Sequence, residues 1–115
     1  MRIFAILALA LVCAAPAAAA ILNQSDAVAL SEVVQERLNA TDINVSMVAE
    51  LPYAIAHWPA GKGYDGGQAL SKKIDGNWTI VKMTNASFDA SKLEKLGVPV
   101  AKAKALAADL KVAGQ

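Results

Sequence analysis

The sequence predicts an α+β domain: an N-terminal helix, a four-stranded antiparallel sheet, and two C-terminal helices packed on one sheet face. Three observations predict it. Apolar residues recur at helical spacing before residue 40 and again after residue 89. Between residues 43 and 83 they fall instead into short alternating runs, and those runs are divided by Pro52, Pro59, a glycine-rich stretch and Asp75-Gly76. A block of strands flanked by helices implies two layers, with helices covering one face of the sheet.

Residues 1–20 precede this pattern and read differently. Arg2, an apolar run from Ile3 to Ala15 and a small-residue stretch through Ala20 follow the three-part plan of a secretory signal peptide. The apolar run is shorter than the roughly 20 residues needed to span a bilayer. Ala18 and Ala20 suit the signal peptidase and place the cut before Ile21. Val12 before Cys13 is unlike a lipoprotein signal, which carries a small residue there. The expectation is a periplasmic or secreted protein consisting of a single domain, residues 21–115, not inserted in the membrane once the leader is removed. Processing would also take away the only cysteine, so packing without disulfides must hold the domain together. What remains has ten basic and ten acidic side chains. That balance argues against nucleic acid, whose phosphates require a basic surface.

The elements follow in order. Ser25 or Asp26 opens a helix that places Val28, Leu30, Val34 and Leu38 near one stripe, and the cluster Asn39-Ala-Thr-Asp42 ends it. Ile43 to Leu51 alternates as a half-buried strand, with Ile43, Val45, Met47, Ala49 and Leu51 on one side. Tyr53 to Trp58 forms a second strand that Pro59 stops. The segment 60–67 contains four glycines and connects to a third strand, Gln68 to Ile74. Asp75-Gly76 is a hairpin signal leading into Trp78 to Met83. Residues 89–96 make a short helix closed by Gly97, and 99–112 a last helix opened by Pro99, with Val100, Ala103, Leu106, Ala107 and Leu110 along one stripe.

Few residues can carry chemistry. His57 is the only histidine, and imidazole is the commonest transition-metal ligand. Met47 and Met83 add thioether sulfur, which favours copper(I). A His57, Met47, Met83 site requires all three on one sheet face; core packing explains a lone methionine such as Met47 in an alternating strand without any metal. Zinc lacks a second imidazole or a cysteine to complete a tetrahedron. Ser71, Ser87, His57 and Asp65 carry no nucleophile motif, and the glycine loop matches no phosphate-binding spacing. Trp58 and Tyr64, beside Gly66 and Gly67, offer a candidate ligand or partner surface, with Trp78 on the following hairpin either part of it or a core anchor.

The stretch Ala54-Ile-Ala-His-Trp58, then Gly66-Gly-Gln-Ala-Leu70, Asp75-Gly-Asn-Trp78 and Gly97-Val-Pro99, resembles small bacterial exported proteins described as copper uptake system-associated. The resemblance spans about two thirds of residues 21–115. It implies a periplasmic accessory role without catalysis, with copper as candidate cofactor and a copper transporter or another periplasmic protein as partner. Members often place a cysteine near the end of the last strand; here Lys82-Met-Thr-Asn85 stands in that place, with Met83 as the remaining soft donor. The competing expectation is a metal-free binding module of the cystatin-like or nuclear-transport-factor-like kind, with an apolar cavity lined by Val34, Leu38, Ile55 and Leu70.

Overall fold

The computed structural model describes residues 22–40 and 43–113; the expected leader lies outside the described residues. Helix α1 spans Gln24–Leu38. Its N-cap is Asn23, whose side chain accepts from the Asp26 N–H at 2.8 Å, so the cap lies two residues ahead of Ser25. Asp26 is thereby free for another partner. Asn39 closes the helix at φ 54°, in the left-handed region that asparagine tolerates.

Four strands follow: β1 (Ser46–Glu50), β2 (Tyr53–Trp58), β3 (Gly67–Ile74) and β4 (Asn77–Thr84). They form one antiparallel sheet in sequence order. β1 is shorter than its alternating pattern suggests. The β3–β4 hairpin turns on Asp75 (φ 51°) and Gly76 (φ 83°), both left-handed as the tight turn requires. A bulge at Val81 lets Leu70 face Lys82 and Ser71 face Ile80.

Helix α2 spans Ala90–Lys95 and α3 spans Val100–Ala113. Asp89 caps α2 by accepting from the Lys92 N–H at 2.8 Å, and Phe88 before the cap joins Leu93 in one core cluster, a hydrophobic staple. Gly97 (φ 99°) and the bond from the Val98 N–H to the Leu93 carbonyl end α2 in a Schellman turn.

The α+β class and the element order are those read from the sequence, and the C-terminal helices do share one face. The two-layer expectation is corrected. α2 and α3 cover Val48, Tyr53, Ile55 and Leu70, whereas α1 covers the opposite face with Leu30 and Val34 against Ala49, Ala54, Ala56 and Ala69. The domain therefore has three layers. Val48, on the side of β1 read as polar, is buried, while Val28, read as core, is 49% exposed.

The two faces differ in side-chain size for a reason. On the α1 face the small residues Ala49, Ala54, Ala56, Ala69 and Ser71 are all essentially inaccessible, leaving room for Leu30 and Val34 to sit low on the sheet. Two bonds pin the helix there. The Asp26 carboxylate accepts from Lys73 Nζ at 2.8 Å and from Trp78 Nε1 at 3.1 Å; those bonds hold its carboxyl below the usual range. Ser71 Oγ, by contrast, is buried without a partner among the described residues. Ser71→Ala is accordingly expected to raise stability by about 1 kcal/mol and the melting temperature by roughly 4–8 °C, as thermal unfolding will register.

Candidate cleft at the end of the sheet

His57 pairs with Ser46 of β1 and Gln68 of β3, which places it on the α2/α3 face beside Tyr53 and Ile55. It opens into a cleft of about 710 Å³ between the sheet, the loop after β4 and the end of α3, a size that suits a small ligand. Phe88, Ala107 and Leu110 supply apolar wall; Gln68, Ser87 and Lys111 supply polar edge. The Phe88 N–H donates to Gln68 Oε1 at 2.8 Å, which fixes the Gln68 amide and ties the loop to β3. A smaller hollow of about 400 Å³ shares His57, Gln68 and Ser87 and continues past Trp58 and Asn85.

The electrostatics of the cleft centre on the imidazole. His57 Nε2 is buried and has no hydrogen-bond partner among the described residues. Burial also pushes the imidazole below its ordinary range, since a desolvated ring disfavours the charged form. At neutral pH His57 is therefore uncharged, and Nε2 is one donor or acceptor waiting in an apolar wall.

The sheet keeps the three expected metal donors apart. Met47, Ala56, Ala69 and Met83 form one row across the four strands, register partner to register partner, on the α1 face. His57 follows Ala56 by one position, so strand alternation sends it to the other face. The two methionines occupy opposite edge strands, three strand spacings or roughly 14 Å apart. Met83 Sδ also accepts from Arg37 Nη1 at 3.9 Å, and a cation against the sulfur opposes a second cation there. Among the described residues no group of three His, Cys, Asp or Glu side chains is placed to hold a metal ion.

The aromatic surface is likewise rearranged. Trp58 is buried and its Nε1–H donates to the Asp65 carbonyl at 2.9 Å, pinning the glycine loop. Trp78 is buried and spent on Asp26. Tyr64 is half-buried against the α1-side core, and it covers Gly61 so closely that a Cβ there would lie 2.3 Å from the phenol oxygen and 2.4 Å from the ring. At Gly66 a Cβ would lie 2.9 Å from the Ala60 nitrogen, and at Gly67 it would lie 2.6 Å from the Thr84 carbonyl oxygen. These glycines permit close backbone approach. Val34, Leu38, Ile55 and Leu70 do not line one cavity, because the first two lie on the α1 face and the others on the opposite face; the groove between α1 and the sheet is lined instead by Leu22, Val28, Val45 and Met47. Ser71 is separated from His57 by the same sheet.

Gln68, Phe88, Leu110 and Lys111 are the cleft residues that sequence reasoning passed over. Only Phe88 left a signal, as a large apolar side chain directly before a capping aspartate, with Leu93 five residues on. No family model, curated protein or solved structure matches the chain.

Proposed function

We propose that the protein is an exported, non-catalytic binding module that seats a small, uncharged, largely apolar ligand in the cleft at His57. The observation that carries this reading is the buried, partnerless Nε2 of His57, a residue that lines the cleft together with Phe88, Ala107 and Leu110. A buried polar atom costs about 1–3 kcal/mol unless something satisfies it, and a ligand hydroxyl or amide does so. Export rests on the leader-like residues 1–20. The link to copper uptake rests on the resemblance in the strand, hairpin and Gly-Val-Pro segments. With the donors divided between two faces, we place that link in contact with a transporter or another periplasmic protein rather than in a three-ligand copper site.

The test is a titration of the exported protein, followed by amide and imidazole NMR, with benzamide and benzyl alcohol as probes and copper(I) as a separate arm. Shifts confined to Gln68, Ser87, Phe88 and the end of α3 are expected from the organic probes. His57→Ala should weaken that binding about tenfold, the worth of one hydrogen bond of roughly 1.4 kcal/mol. If neither organic probe moves those signals, the ligand reading is wrong; tight copper(I) binding that His57→Ala abolishes would replace it with a metal role.

A further inference from the structure

We infer that the protein self-associates through the outer edge of β1, two copies pairing antiparallel about a two-fold axis at Val48. This is independent of the cleft. The two edges of the sheet are unequal. β4 is protected by the bulge at Val81 and by exposed Lys82, features that discourage strand addition. β1 has neither: Ser46 to Glu50 contains no proline, no lysine and no bulge, and all five residues pair in regular register with β2. No strand among the described residues pairs with its outer side.

The hydrogen-bond phase shows what that edge offers. The Lys73 N–H donates to the Pro52 carbonyl at 2.8 Å, so residues 52, 54, 56 and 58 bond toward β3 and residues 53, 55 and 57 bond toward β1. Their partners on β1 are Glu50, Val48 and Ser46. The N–H and C=O groups of Met47 and Ala49 therefore point outward. A two-fold axis at Val48 sets Met47 of one copy opposite Ala49 of the other, and again in reverse, for four backbone bonds.

Side chains suit a second copy in this register. Glu50 meets Ser46 instead of another acid, Val48 meets Val48, and long Met47 lies beside short Ala49. On the α1 face the added strand extends an apolar groove whose walls include Ala27, Val28, Val45 and Met47. On the other face, helix phase places the Ala107 and Lys111 flank of α3 over the cleft and the Asp109 flank over the β1 edge.

Five-residue edges bury less area than a standard interface, so the dimer is weak, with a dissociation constant of about 10 μM to 1 mM. Sedimentation of the exported protein across that range is expected to show monomer and dimer in exchange. Met47→Pro removes an outward N–H and no bond to β2, and should raise the constant at least about tenfold. A second measurement does not depend on how that variant folds. Oxidising an equimolar mixture of Met47→Cys and Ala49→Cys should give more cross-linked dimer than either variant alone, since bonded pairs sit about 5.5 Å apart, within disulfide reach. Sedimentation as a monomer up to about 1 mM, or cross-linking no greater in the mixture, would overturn the proposal.

Discussion

Gly67→Ala is expected to lower the stability of the domain by about 3 kcal/mol, and its melting temperature by roughly 12–24 °C. The added methyl would lie 2.6 Å from the Thr84 carbonyl oxygen and 3.2 Å from the Trp58 ring. The first neighbour is backbone in the adjoining strand and the second is a buried indole held by Asp65, so neither can step aside cheaply. β3 and β4 would have to part at their junction with the cleft loop, next to Gln68. Urea unfolding measures the loss, and a change under about 0.5 kcal/mol would show that the strands separate there without strain.

The second large effect comes from neighbouring positions on β3. Leu70 and Ala69 are both fully buried, on opposite faces. Leu70→Ala should cost about 2–5 kcal/mol by opening a cavity under α2 and α3. Ala69→Leu should cost about 1–3 kcal/mol or more by forcing a larger side chain between the sheet and α1. A two-layer domain would suffer from only one of them. Denaturant unfolding of both variants therefore tests the third layer directly, and a neutral Ala69→Leu would remove α1 from the sheet.

Much of this architecture was legible in the residues. β2 was read with its observed ends because prolines bracket it at 52 and 59. Asp75-Gly76 marked the β3–β4 turn because only such residues accept two left-handed conformations in succession. The short C-terminal helix announced itself through Asp89 and Gly97. The third layer was hidden by alanine. Ala54, Ala56 and Ala69 carry too little apolar surface to declare a buried face by alternation, yet their smallness is what admits α1.

The cleft was harder to see. His57 stood out as a lone imidazole, but its surroundings come from β3, the loop after β4 and the end of α3, and no local spacing encodes that meeting. The donor set failed on parity: strand alternation already put Met47 beside Ala49 and His57 beside Ile55, but which face of β1 matched which face of β2 depended on register. The N-cap was misplaced for a related reason. Asp26 looked like a cap by type, and a distant lysine and indole claimed it instead.

That claim bears on how the chain reaches its final form. A 15-residue helix is marginal alone in water, and the groups that secure α1 lie 47 and 52 positions later. Synthesis from the N-terminus thus delivers α1 well before the hairpin that anchors it. The helix stays unsecured until about two thirds of the chain has been made, so α1 is among the last elements to lock onto the sheet.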